Sequence, residues 1–405
     1  MTVVENESAR SDIDRVIDLA DRLLEDMPPS SVPPEKFLGE QFDRGLAWVH
    51  FPEGLGGMSL SPSLQRSLET RLAEGGAPSP SERNVIGHGM VAPTLIVHGT
   101  DEQKRLLRPL FTGEEVWCQL FSEPSAGSDV ASLAARAVRD GDEWILNGQK
   151  VWTTLAHVSR WGLLITRTNP DLPKHQGMTV FLLDMHLPGV DVRPLYQITG
   201  EAEFNEVFFS DVRVPDSDRL DGVGQGWRVA LTTLMNERVS IGGGTSRHFG
   251  SPMTAALRLW EEHWKDDDSA HAAALRDRLM SLWVKNEVVR MTNLRSANAR
   301  KAGTPGPDGS VAKISFAELN QQISELCVDL LGAQGMLYES DYPKIRPAHA
   351  GFSANVQKMF LRARANSIEG GTSEVMRNIL GERVLGLAGE PRVDKEIPWK
   401  DVLRS

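Results

Sequence analysis

The chain has 405 residues, which at roughly 150 residues per domain allows two or three domains and a core that needs no disulfide or metal to hold it. Its 44 Lys and Arg against 55 Asp and Glu leave a formal charge of −11, which argues against a general nucleic-acid binder or a basic membrane-surface protein. Two cysteines, Cys118 and Cys327, build neither a disulfide framework nor a thiolate metal site. Acids precede any apolar run at the N-terminus, and no apolar stretch reaches the roughly 18 residues of a membrane span, so the expected compartment is the reduced cytoplasm.

The first predicted element is an amphipathic helix over residues 12–26, where Ile13, Val16, Ile17, Ala20, Leu23 and Leu24 recur at steps of three and four. Proline-rich breaks (PPSSVPPE, FPEGLGG) follow, and helical character resumes around HGTDEQKRLLRPLF. Across 116–225 the texture changes to short apolar or alternating runs: WCQLFS, LAARAVRD, EWILNG, WGLLITRT, MTVFLLDM and NEVFFSDVRV. Turn clusters such as DGD, NPDLP and PDSD separate them, the pattern of a compact antiparallel β domain. After GVGQG the helical period returns to about residue 390, with KDDD (265–268) and AGTPGPDGS as loops between long helices. The order is α, then β, then α.

Short catalytic motifs give little. GVGQG (222–226) follows a loop and lacks the strand–turn–helix setting of a dinucleotide fingerprint. The phosphate-binding GxxxxGK[ST], zinc-type HExxH, serine elbow GxSxG and CxxC are missing, and the ten histidines are scattered, so no metal is expected. Chemistry here implies an organic cofactor, because side chains alone lack an electron-transfer repertoire.

Three longer segments are more informative: WCQLFSEPSAGSDVASL with WILNGQKVWTT (117–154), NEVFFSDVRVPDSDRL with GVGQGWRVALTTLMNER (205–238), and LLGAQGM (330–336) with SIEGGTSEVMRNILGERVLGL (367–387). In this order they resemble the acyl-CoA dehydrogenase family of flavoproteins over nearly the whole chain. The resemblance implies a mainly α fold with a central β domain: an N-terminal helical domain (1–115), a middle antiparallel β domain (116–225) and a C-terminal four-helix bundle (226–405) around one FAD. It further implies α,β-desaturation of an acyl-CoA thioester in fatty-acid or related lipid catabolism. A carboxylate removes the α-proton, hydride leaves the β-carbon for flavin N5, and an electron-transferring flavoprotein takes the electrons. A homo-oligomer, dimer or tetramer, or a heteromer with a related subunit is implied as well. Two further readings stay open on the same fold: an acyl-CoA oxidase or flavin monooxygenase, and a non-catalytic subunit of a heteromeric dehydrogenase.

The residues carry these implications one by one. Phe121 and Ser122 end a strand, where a backbone N–H and a hydroxyl can meet a polar ring edge; a turn with Ser and Gly chosen for conformation is the plainer reading. By resemblance they touch the flavin pyrimidine, with Ser128 near the cofactor phosphate. Trp152 and Thr154, two apart on a strand, share a face and by resemblance flank the ring near N5, although a strand Trp by itself reads equally as core.

The family places its base either on the helix opening the bundle or just before the GTS turn. At the second place stands Gly370, with Glu369 offset by one; at the first stands Glu237. Ala230, Leu234, Glu237 and Ile241 are spaced 4, 3, 4, so they share a helical face on which a carboxylate is desolvated and made more basic. Glu237 is the expected base and Glu369 the fallback. By resemblance the Gly370 N–H stabilises the enolate, as a developing oxyanion requires, and Arg238 supports the site. Thr372 is the expected N-cap of a helix whose N-terminus suits phosphate, and by resemblance Thr372 and Glu374 lie by the FAD diphosphate and ribose.

Two positions depart from the family pattern. Gly332 in LLGAQG fits a segment that holds the FAD of an adjacent subunit, but Asp329 stands where many members have glutamine. The family's RxxFG arginine is missing from EEHWKDDDSAHAAALRDR, leaving Arg276 or Arg278 as substitutes, or a partner subunit of different sequence.

Overall fold

The computed structural model describes residues 3–81, 83–242, 252–301, 308–338, 344–349 and 355–402. Helices come first: α1 (Val3–Asp26), α2 (Pro34–Asp43), α3 (Gln65–Glu74), α4 (Ala92–His98), α5 (Asp101–Lys104) and α6 (Leu107–Thr112). The periodic stripe of α1 is the buried one, with Val16, Ala20 and Leu23 packed among Phe37, Phe42, Leu68 and Phe111. A capping box starts α5, in which Thr100 and Gln103 exchange side-chain-to-backbone hydrogen bonds.

The sheet follows: β1 (Trp117–Leu120), β2 (Arg136–Asp140), β3 (Glu143–Thr154), β4 (Trp161–Arg167), β5 (Met178–Asp184), β6 (Val190–Pro194), β7 (Phe204–Pro215) and β8 (Arg219–Leu220). Its order is β6-β7-β3-β2-β4-β5-β8, with β1 pairing β4 off that path. Antiparallel pairings predominate, as the turn clusters predict. β1 is different: it arrives from the helical segment with no hairpin partner beside it, and it lies parallel to β4. β2 also meets β4 in parallel, at one position.

Helices cover one face of the sheet, where Trp117, Leu163 and Val180 join the core of α1, α2 and α6. A second cluster of Leu120, Trp144, Phe181 and Val207 fills the other face. Strands buried on both faces read as continuous apolar runs, which accounts for WGLLITRT and MTVFLLDM.

The remaining elements are helices: α7 (Gly226–Gly242), α8 (Pro252–His263), α9 (Ala270–Lys301), α10 (Asp308–Leu331), α11 (Val356–Ala363) and α12 (Ser373–Arg383). Leu259, Leu279, Leu282, Ile323 and Leu326 form the core shared by α8, α9 and α10, and α10 also packs on α7, α11 and α12. KDDD lies between α8 and α9 as expected; AGTPGPDGS falls largely outside the described residues. Two later segments return to the sheet. Ile345 bonds through its backbone to Gly200 and Ala202, and Trp399 lies under the Arg167 guanidinium, 4.8 Å from its ring centre.

Candidate active site

The loop after β1 is built on a buried ion pair. Lys150 of β3 donates to Glu123 Oε1 at 2.8 Å and to the Phe121 carbonyl at 3.0 Å. Their side chains are 0% and 5% exposed, respectively for Lys150 and Glu123. Glu123 also accepts from the Ala134 and Ala135 N–H groups at 2.6 and 2.9 Å. Burial pulls the Lys150 ammonium down and the Glu123 charge opposes it. Because the peptide is trans, a Phe121 carbonyl turned inward to Lys150 turns the Ser122 N–H away from that lysine. Ser128 is exposed further along, beside Asp129, which accepts from Lys174 at 2.7 Å.

At the far end of β3 the register against β7 slips between Lys150 and Thr153. Trp152 takes φ +59°, a conformation uncommon for a bulky residue, and the residue is 58% exposed. Despite the bulge, Trp152 and half-buried Thr154 stay on the open side, with buried Thr153 between them. Phe204 meets the Trp152 ring edge-on, centroids 5.9 Å apart.

Glycine and histidine together set α7 in place. A Cβ on Gly226 would lie 2.7 Å from the backbone of Met178 and Thr179, so the last glycine of GVGQG serves close helix–strand packing. Thr94 and Thr233 hydroxyls are 3.0 Å apart, and His98 bridges Asp221 (2.8 Å) and Thr232 (2.9 Å). Thus anchored, α7 buries Ala230, tucks Leu234 against the core and points half-buried Glu237 at β1, where Gln119 Nε2 donates to Oε2 at 3.4 Å. Arg238 and Ile241 lie in α7, and their side chains fall outside the described residues.

Across from α7, the turn before α12 carries Gly370 (φ +64°) and Gly371 (φ +91°). Glu369 is locked beside it: Arg362 donates to both carboxylate oxygens, at 3.0 and 2.9 Å, and Asn366 Nδ2 to Oε1 at 2.7 Å. Thr372 is the N-cap of α12, accepting from the Val375 N–H at 3.2 Å. Exposed Glu374 curls onto its own amide and the Thr372 hydroxyl, which hold its carboxyl below the usual range. Buried Lys313 of α10 donates to the Asn366 carbonyl at 2.8 Å and lies within electrostatic reach of Glu237, Glu369 and Glu374. The structure thus brings Glu237 and the Gly370 turn around one lysine, and Phe204 joins Trp152 to Arg362, over whose guanidinium it lies at 5.5 Å.

These residues suit a flavin. The Ser122 amide, exposed Trp152 and the capped start of α12 offer a ring edge, a ring face and an anion their respective partners. Among the described residues no hydrogen-bond partner reaches buried Thr153 Oγ1 or Ser373 Oγ, at these same two places. The two departures noted above pair with each other, since Arg278 forms an ion pair with Asp329, while Arg276 is exposed. Gly332 takes φ +55° with open space where a side chain would stand.

Lys150, Glu123, Lys313, Arg362 and Asn366 escaped the sequence reading. One signal was available: Trp144, Leu146 and Lys150 share strand parity, and a charge in an inward row demands a buried counter-charge.

The α–β–α chain thus brings a strand end, a bundle helix and a glycine turn to one region. Models of the acyl-CoA dehydrogenase N-terminal, middle and C-terminal domains match residues 13–114, 118–212 and 224–385. Acyl-CoA dehydrogenase IpdE1 of Mycobacterium tuberculosis is 37% identical over 350 residues, 86% of each chain. Acyl-CoA dehydrogenase FadE34 of the same organism is 38% identical over 88% of this chain, which spans 47% of that relative's length. The solved ChsE4–ChsE5 complex from Mycobacterium tuberculosis superposes with a TM-score of 0.70 at 28% identity, covering 97% of this chain and 99% of that one. The chain belongs to the acyl-CoA dehydrogenase family, whose members are flavoprotein oxidoreductases.

Proposed function

We propose that the chain, organised as domains 1–115, 116–225 and 226–405, binds FAD and desaturates an acyl-CoA thioester between its α and β carbons. One observation carries the reading: α7 holds half-buried Glu237 against β1, where Gln119 donates to its carboxylate, and Lys313 brings it within electrostatic reach of the turn that carries Gly370. Phe121, Ser122, Trp152 and Thr154 hold the ring, and Ser128, Thr372 and Glu374 border the phosphate and ribose portion. FAD, when bound, supplies the two-electron acceptor. Glu237 takes the α-proton, Arg238 supports it, and the Gly370 N–H faces the thioester oxygen, where charge develops. With a chain charge of −11, recognition of two anionic ligands is local, through helix N-termini and a few basic groups.

Gly332 and the Arg278–Asp329 pair face the partner subunit in this reading, and electrons leave to an electron-transferring flavoprotein in the cytoplasm. Partnership is supported by α9, where Met280, Trp283, Val284, Val288 and Met291, at i, i+3, i+4, i+8 and i+11, form one exposed apolar face. The ChsE4–ChsE5 complex, with two different chains, favours a heteromer over a homo-oligomer.

The test is anaerobic bleaching of the purified yellow protein by straight-chain, branched and steroid-side-chain CoA thioesters. At least one class bleaches the flavin, and Glu237→Gln abolishes bleaching with FAD still bound. Colourless protein that FAD does not reconstitute, or wild-type bleaching by Glu237→Gln, refutes the proposal. Rapid reoxidation of the bleached enzyme by oxygen marks an oxidase instead.

A further inference from the structure

We propose that Arg362 and Glu369 are positioning residues, whose ion pair aims the Gly370 N–H at the thioester oxygen. The inference rests on the role proposed for Gly370. A donor stabilises an enolate only when it is fixed in direction before the charge develops. Two successive glycines in left-handed conformations have little intrinsic preference for one direction, so the surroundings must supply it.

They do so through Glu369. Three donors converge on its carboxylate, two from Arg362 and one from Asn366, and its backbone N–H donates to the Ala365 carbonyl at 2.9 Å. Asn366 is itself held from α10, by Lys313 on its carbonyl (2.8 Å) and by Asn320 on its side-chain oxygen (2.5 Å). The other side of Arg362 reaches the sheet. Its Nε donates to buried Glu203 at 3.2 Å, and its guanidinium lies over Phe204, the ring that abuts Trp152. One guanidinium therefore joins the turn carrying the proposed oxyanion donor to the wall proposed for the flavin. A surface ion pair would link only itself; this one couples the two halves whose relative placement the reaction needs.

The probe is 3,3-dimethylbutyryl-CoA, which has α-hydrogens but no β-hydrogen, so hydride loss is blocked. Deuterium uptake at its α-carbon from D2O, followed by mass spectrometry on the FAD-loaded enzyme, reads enolisation alone. Glu369→Gln and Arg362→Met are expected to slow uptake by about tenfold to a hundredfold per bound flavin, the scale of a displaced oxyanion donor. Thioester affinity should stay within about twofold and the acid limb of the pH–rate profile should not move, because the base is untouched.

Wild-type uptake per bound flavin in Glu369→Gln overturns the inference, even where FAD retention or melting temperature has dropped, since that pattern marks a purely structural pair. Glu369→Gln preserves side-chain size, so its readout stands even where Arg362→Met fails to fold. Complete loss of uptake in Glu369→Gln with Glu237→Gln still active makes Glu369 the base and overturns both proposals. No uptake by wild type, with protein that binds FAD and the thioester, removes the desaturation reading and this inference with it.

Discussion

Replacing Lys150 by methionine tests whether the loop after β1 depends on a buried charge. The substitution removes the ammonium from beneath the Phe121 carbonyl and leaves Glu123 charged in a pocket where it is 5% exposed. Breaking a buried pair by removing one partner costs about 3–5 kcal/mol. Glu123 keeps the Ala134 and Ala135 N–H donors, which places the loss near the lower bound, about 3 kcal/mol. The double variant Lys150→Met/Glu123→Gln removes the stranded charge and should regain roughly half of that loss. Equilibrium urea unfolding, read by tryptophan fluorescence, measures both. Because the Ser122 N–H is aimed through the same contact, FAD affinity of the single variant should fall at least tenfold, about 1.4 kcal/mol. A Lys150→Met protein with the wild-type urea midpoint and full FAD content would refute the reasoning.

Two other outcomes follow from local chemistry. Thr372→Ala removes the cap of α12 and should cost about 1 kcal/mol in urea unfolding, with weaker FAD retention; unchanged values for both would count against the cap's role at the cofactor. Burial against Trp48 and Phe111 lowers the His88 imidazole to about 4 from the ordinary 6.5, so the unfolded chain binds the proton first as pH falls. Stability is then complete above about pH 6.5 and declines down to about pH 4, by at most about 2 kcal/mol at pH 5. His88→Phe should flatten the thermal-midpoint profile between pH 7.5 and 5, and an unchanged slope in that variant would assign the pH effect elsewhere.

Periodicity made the α–β–α order legible because each segment's apolar pattern matches the face it buries: Val16, Ala20 and Leu23 in α1, and the continuous runs of β4 and β5 between two cores. The parallel entry of β1 was not legible, since strand direction depends on what β1 meets in space and the run WCQL reads the same either way. At the site, spacing identified the face of α7 that presents Glu237 and the cap at Thr372. It did not reveal that Glu369 is occupied. Arg362 precedes Glu369 by seven residues, a helical spacing, but α11 ends at Ala363 between them, so the period does not carry across. Long-range polar partners such as Lys150 and Glu123, 27 residues apart, leave only an inward charge as their trace.

The segment beyond α12 gives the molecule an order of assembly. Trp399 and Asp394 reach back to Arg167 and Lys174, more than 200 residues upstream, and Lys174 in turn holds Asp129 on the loop proposed for the cofactor phosphate. During synthesis the sheet emerges long before these partners exist. That loop therefore acquires its last restraints only when residue 399 has cleared the ribosome, and until then the nascent sheet is held by its two cores, one of them shared with α1, α2 and α6.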